Sequence, residues 1–280
     1  MKRSWTGRRT ILTGASSGIG RAIAVQIAGN GAKVALASRS ADRLREVARE
    51  IESRGGTCMV VPTDITQPDQ RAALFERVQR EWGGLDLLIN NAGIGAWGHF
   101  ATSSESILRQ VMEVNFYAPI EMIRLAIPLL ERGQQAAIAN VTSMCARRGM
   151  PAWPEYSASK FGLMGLSESL RGEMSRFDID VLTMVPGLTQ TDLQEHLIRK
   201  DGRYPIDASK GMPVAKVAET IVRSIEKNQR ETVIGGDARW MLFINRFFPR
   251  LLDRLIAKRI TKLYAQEASA PATTTDRANR

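Results

Sequence analysis

Near its start the chain passes from a β-branched run, Thr10-Ile-Leu-Thr13, into Gly14-Ala-Ser-Ser-Gly18-Ile-Gly20. A helical pattern follows, with Ile19, Ala22, Ile23 and Ile27 on one face. Strand, glycine turn and helix in that order begin a βαβ unit, which needs further parallel strands beside it. The same order suits a dinucleotide, because glycines let the backbone approach a pyrophosphate and the helix N-terminus favours its charge. The spacing is G-x-x-x-G-x-G rather than G-x-G-x-x-G.

The rest of the chain continues the alternation. Strands are predicted at 33–39, 57–61, 85–89, 136–141, 180–185 and 232–235. Ser40 is placed to cap a helix carrying Leu44, Val47, Ala48 and Ile51 inward. Pro68 suits the first turn of another, with Leu74, Phe75 and Val78 inward. Residues 104–130 read as one long helix with Asn115 in its middle, 156–176 as a second and 213–225 as a third. Residues 188–212 are charged and irregular, show no strand pattern, and have the length of a lid. The expected fold is α/β: a single Rossmann-type, doubly wound parallel sheet with helices on both faces, followed by a C-terminal helical extension. Residues 1–236 form the dinucleotide-binding catalytic domain in this reading, 237–265 an amphipathic basic extension, and 266–280 a disordered tail rich in Ala, Thr and polar groups.

Ligands of such sheets bind beyond the carboxyl ends of the strands, where Gly14, Asn90, Ser143 and Pro186 all stand. Tyr156-Ser-Ala-Ser-Lys160 places a phenol and an ammonium on one helix face. A fixed cation favours the phenolate, so Tyr156 is expected to titrate below its usual value of about 10 and to serve as an acid or base. Sites for NAD place a carboxylate about 20 residues after the glycines, on the ribose hydroxyl. This chain has Ser38 and Arg39 there, and Arg39 could fork onto a 2′-phosphate. Asn115 lies among Val111, Val114 and Phe116, which suggests a buried polar role. Trp97, Met144 and Trp153 are candidates for an apolar pocket and equally for core.

Taken together, Thr13-Gly14-x-x-x-Gly18-x-Gly20, Asn90-Asn91-Ala92-Gly93, Asn115, Ser143, Tyr156-x-x-x-Lys160 and Pro186-Gly187 resemble the short-chain dehydrogenase/reductase family over about residues 10–236. The 13 positions from Ser143 to Tyr156 are the spacing usual in that family. The resemblance implies NADP(H)-dependent interconversion of a carbonyl and a secondary alcohol. It gives Tyr156 the proton, Lys160 the tuning of Tyr156 and a bond to the nicotinamide ribose, Ser143 the carbonyl oxygen, and Asn115 a water that relays protons. It implies cofactor contacts from Gly14, Ser16, Ser17, Gly18, Ile19 and Gly20, and from Asp64 at the adenine. Asn91, Ala92, Gly93, Pro186, Gly187 and Thr191 complete that set. Thr189 departs from the Val or Ile that the family usually has after Pro-Gly.

Two cysteines exclude a disulfide framework, and no metal spacing involves them. Residues 1–10 lack an apolar core for a secretory signal, and no apolar run would span a bilayer, so a cytoplasmic location is expected. The net charge is +10, of which residues 239–280 supply +6 from nine Lys/Arg against three Asp/Glu. In that segment Leu251, Leu252, Leu255, Ile256, Ile260 and Leu263 recur at helical spacing between basic residues, after Pro249. This face could pack on the protein's own body, on a second subunit of a homodimer or homotetramer, or on an anionic membrane through 239–264. Nucleic acid is not an expected partner. The additional segment favours an apolar, lipid-like or steroid-like substrate. The alternatives are a 3-oxoacyl-carrier-protein reductase and, in another class, a dinucleotide-binding sensor without turnover.

Overall fold

The computed structural model describes residues 2–268, apart from 192, 194–196 and 205–206. Its strands are β1 (Arg9–Thr13), β2 (Lys33–Ser38), β3 (Thr57–Pro62), β4 (Leu87–Asn90), β5 (Ala137–Val141), β6 (Asp180–Pro186), β7 (Thr189–Gln190), β8 (Met212–Pro213) and β9 (Glu231–Ile234). Its helices are α1 (Gly18–Gly29), α2 (Ala41–Ser53), α3 (Pro68–Trp82), α4 (Glu105–Met112), α5 (Ala118–Leu130), α6 (Pro154–Met174), α7 (Val214–Glu226), α8 (Gly236–Phe247) and α9 (Pro249–Ala268).

Seven strands make one parallel sheet in the order β3-β2-β1-β4-β5-β6-β9. The central strands are buried on both faces, which is why they read as apolar runs without alternation. One face carries α1, α2 and α7, through side chains such as Ile23, Val47 and Ile221. The other carries α3 and α5, through Leu74, Phe75, Met122 and Ile123. Chain order reverses between β1 and β4, so the crevice for a ligand opens where these two strands end.

Three expectations about local structure need correction. The helix predicted over 104–130 is two helices joined by a π turn at Glu113–Tyr117. Pro119 explains the break. It has no N–H for the Asn115 carbonyl, so the α ladder cannot run through, and Ala118 bonds back to Glu113 instead. Ser40 stands at the N-cap of α2 but its hydroxyl makes no capping bond, and the residue lines the ligand crevice. The segment 188–212 does hold strand: β7 and β8 pair in parallel over two residues, too short to leave a period in the sequence. The departing Thr189 sits in this pair, its hydroxyl bonded to the Gly187 carbonyl at 3.1 Å.

Pro249 separates α8 from α9 as its ring requires. The α9 backbone continues to Ala268, beyond the expected boundary at 265. The remainder of the expected tail, 269–280, lies outside the described residues.

Candidate active site

The floor of the crevice is stitched across the β1–β4 reversal. The Thr13 hydroxyl oxygen accepts from the backbone N–H of Asn91 and Ala92 at 3.0 and 3.1 Å. The Asn91 amide donates to the carbonyls of Thr13 and Gly14 at 3.1 and 3.3 Å. Gly14 turns here with φ +66°, a conformation side chains disfavour. A Cβ on Gly20 would lie 2.1 Å from the Gly14 carbonyl oxygen, so only glycine lets α1 start against this loop. Ser17 places no side-chain cap on α1, which leaves first-turn N–H groups for an anion.

One cleft of about 1180 Å³ runs from this floor to α8 and α9. Gly14, Ser16, Ser17, Gly18, Ile19 and Gly20 line its phosphate end, and Ser38, Arg39 and Asp64 its outer corner. Asn91, Ala92, Gly93, Pro186, Gly187 and Thr191 line the middle, where Ser143, Tyr156 and Lys160 meet. Asn115 alone of the predicted set lies behind the wall, fully buried.

The residues present fit a dinucleotide phosphate. Arg39 is exposed at the end of β2 and forms no ion pair with a described residue. The same holds for Arg43, in the first turn of α2, which the sequence reading missed although it lies four residues on. The Ser38 hydroxyl beside them is buried without a partner. The Asp64 carboxylate is held by the backbone and hydroxyl of Thr66 at 3.0 and 2.8 Å.

Helix α6 is pinned to the sheet by a buried polar chain. Asn90 donates to Asn140 at 2.9 Å, Asn140 to the Ser167 hydroxyl at 2.9 Å, and Ser167 to the Leu163 carbonyl at 2.6 Å. This fixes the register of Tyr156 and Lys160 against the end of β5, where Ser143 opens a short turn and accepts from the Cys145 N–H at 3.2 Å. Asn115 ties the loop after β4 to α6. Its amide donates to the Ile94 carbonyl at 2.9 Å and the Ser159 hydroxyl at 3.1 Å, and its oxygen accepts from the Ile94 N–H at 2.8 Å. Ser159 in turn donates to the Tyr156 carbonyl at 2.7 Å, a link no sequence motif marks.

The expected lowering of the Tyr156 phenol is not what the structure gives. Burial pushes it up, with the neighbouring Cys145 thiol adding to this and hydrogen bonding to Ser143 pulling back. Lys160 Nζ donates to the Val141 carbonyl at 3.2 Å and lies 5.8 Å from the centre of the tyrosine ring. Desolvation therefore outweighs charge. Burial also lowers Lys160, to about 8 from 10.5. Between those values the unfolded chain keeps a proton that the folded chain has released. The group's penalty is full below pH 8 and is relieved as pH rises through the window. Lys160→Met should thus gain stability over the parent by up to about 3 kcal/mol near neutrality, and that gain should shrink toward pH 10.5. Urea midpoints of both proteins at the two ends of the window check this, and a gain independent of pH would contradict it.

The far end of the cleft is apolar, with Met144, Met150, Trp153, Leu188, Leu193 and Met241. Of the three expected pocket residues, Met144 and Trp153 are there and Trp97 is not. Trp97 packs on Gly202, and its backbone zips the segment 197–202 to the loop after β4. The bonds are Ile198 N–H to Gly95 O at 3.0 Å, Trp97 N–H to Arg199 O at 3.0 Å and Gly202 N–H to Trp97 O at 2.9 Å. Arg259 of α9 reaches the cleft over the Tyr204 ring, at 5.2 Å.

The model of the family described as short chain dehydrogenase matches residues 8–202. The ketoacyl reductase HetN of Nostoc sp. is 30% identical, over 89% of this chain and 88% of its own length. A short chain dehydrogenase from Burkholderia cenocepacia J2315, solved in complex with NADP, superposes with a TM-score of 0.77 at 25% identity, over 91% of this chain and 99% of that one. A short chain dehydrogenase/reductase from Burkholderia phymatum, in complex with NAD, superposes at 0.81 and 22% identity, over 89% and 96%, and shares the fold. The chain belongs to the short-chain dehydrogenase/reductase family of oxidoreductases.

Proposed function

We propose that the chain is an NADP(H)-dependent oxidoreductase that interconverts a carbonyl and a secondary alcohol on an apolar, lipid-like or steroid-like substrate. The observation that carries this reading is the single cleft joining the phosphate-ready start of α1 to Ser143, Tyr156 and Lys160, with an apolar end beyond them. When bound, a nicotinamide dinucleotide supplies or accepts the hydride. The glycine loop and the start of α1 hold its pyrophosphate, and Arg39 with Arg43 holds a 2′-phosphate. Relatives carry either NAD or NADP, so the preference for NADP rests on that corner.

Tyr156, kept protonated by burial, gives its proton to the carbonyl oxygen. Ser143 donates a hydrogen bond to the same oxygen and holds its developing charge. Lys160, below its pKa of about 8, keeps a cation beside the ring that eases loss of the phenol proton. The Asn115 side chain is spent on Ile94 and Ser159, so a water path toward Lys160 would use its main-chain oxygen. Homo-oligomer formation belongs to the same reading. Tyr117, Leu125 and Phe161 are exposed on the α5–α6 surface, where a second copy could cover them.

NADPH oxidation against a panel of carbonyls, from small water-soluble ketones to steroid ketones and 3-oxoacyl thioesters, tests the proposal. Turnover rising with apolar bulk is the expected result. Preference for the thioesters would favour the acyl-carrier reading, and no turnover with any carbonyl would favour a binding protein.

A further inference from the structure

Ten large apolar side chains are exposed among the described residues, and six of them sit on α8, α9 and the residue between them: Trp240, Phe243, Phe247, Phe248, Leu251 and Leu255. Leu251, Leu252, Leu255, Ile256, Ile260 and Leu263 were expected to share one apolar helix face. The structure divides them instead. Leu252 is buried, and Ile256, Ile260 and Leu263 are partly covered, while Leu251 and Leu255 point outward. The outward side chains form a ridge. The rings of Trp240 and Phe243 stack 5.8 Å apart, and Phe247 follows 4.9 Å from Phe243. On α9 the stripe of Leu251 and Leu255 runs on into Lys258 and Lys262, at helical spacing. Arg246, Arg250 and Arg254 flank it, and none of these five cations is paired with a described residue. Asp253 is turned away to Arg148, at 2.6 Å.

We propose that this ridge docks the protein on an anionic bilayer surface, with α8 and α9 lying in the plane of the headgroups. Exposed apolar patches of this kind mark interaction sites, and aromatic rings settle at the boundary between hydrocarbon and water. Basic amphipathic helices lie in that boundary, and each cation near it gains from the negative surface potential. The charge decides against a second copy as occupant. A two-fold contact sets a patch against itself, so five unpaired cations would face the same five. The α5–α6 surface offers apolar area without that repulsion. The chain's own residues 269–280 are a poor cover, with no aromatic residue or leucine and two Arg against one Asp. Met241 and Arg259, from the same two helices, line the cleft, so docking would bring its substrate end beside the lipid. That last consequence rests on the apolar-substrate reading; the docking does not.

The test floats full-length protein with vesicles of phosphatidylcholine, alone or with a third phosphatidylglycerol, at low and high salt. The protein should float with anionic vesicles only, and high salt should release it, because the screening length falls from about 10 Å at 0.1 M to about 3 Å at 1 M. Each cation is worth about fivefold in partitioning, so Arg250→Glu with Arg254→Glu should weaken it at least ~25-fold. Phe247→Glu with Leu251→Glu should abolish flotation while leaving turnover of a water-soluble ketone at the parent's rate. No flotation, equal flotation with neutral vesicles, or unweakened binding by the variants would overturn the proposal. So would a drop in the parent's oligomeric mass on Phe247→Glu and Leu251→Glu, since a second copy would then be the cover. A failed oxidoreductase reading would appear separately, as absent turnover in a protein that still floats.

Discussion

Tyr156→Phe should turn over its carbonyl substrate about 10²–10⁴-fold more slowly than the parent while binding NADPH as tightly. The substitution removes one hydroxyl from a half-buried ring whose packing is otherwise kept, including the edge contact with Trp153 at 5.4 Å between ring centres. The loss is therefore of the proton donor and not of the pocket. Because burial holds the phenol above its ordinary value, the parent enters the reaction protonated throughout the neutral range. The ratio of the two rates should then be nearly constant across that range. Steady-state NADPH absorbance gives the rates, and quenching or enhancement of NADPH fluorescence gives the affinity. Turnover close to the parent's would remove Tyr156 from the chemistry.

Arg39→Asp should reverse the preference between NADPH and NADH. A charged, forked hydrogen bond is worth about 1.5–3 kcal/mol, roughly ten- to a hundredfold in affinity for NADPH. A carboxylate at the end of β2 also provides an acceptor for the ribose hydroxyl of NADH. Arg43, four residues on in the first turn of α2, lines the same cleft and would soften the single substitution, so pairing it with Arg43→Ala should widen the reversal. Ser38 has a smaller supporting part, through a buried hydroxyl that awaits a partner. The ratio of the two dissociation constants, measured without any substrate, reads this directly. A parent that prefers NADH, or a ratio unmoved by the double variant, would reject the reading of this corner.

The doubly wound sheet was legible because parallel strands covered on both faces must be largely apolar, as 137–141 and 180–186 are apart from Asn140, Asp180 and Thr183. The cleft was legible because short motifs at strand ends converge wherever such a sheet reverses. What stayed hidden depends on contacts distant in sequence. Arg43 is one cation among many until β2 and α2 are seen to share a corner. The direction of the Tyr156 shift depends on how deeply α6 buries the ring, and a Tyr-x-x-x-Lys spacing contains no burial. Trp97 was as plausible a pocket residue as Trp153, and only the zipping of 197–202 onto its backbone turned it elsewhere. On α9 the apolar positions cover more than one face, so their period could not say which leucines lie inward.

The π turn between α4 and α5 has a consequence for how this part of the gene can vary. It accommodates one residue more than the α-helix it interrupts, and each helical residue is worth about 100° of rotation. Most single replacements in 113–117 would leave that count intact. Loss of one codon there would not. It would close the stretch toward a continuous helix and swing one side against the other by about 100°, parting Asn115 from Ile94 and Ser159. At this locus the protein stores the placement of Asn115 in length rather than in letters, so a deletion that looks conservative by composition should be harder to tolerate than a change of side chain.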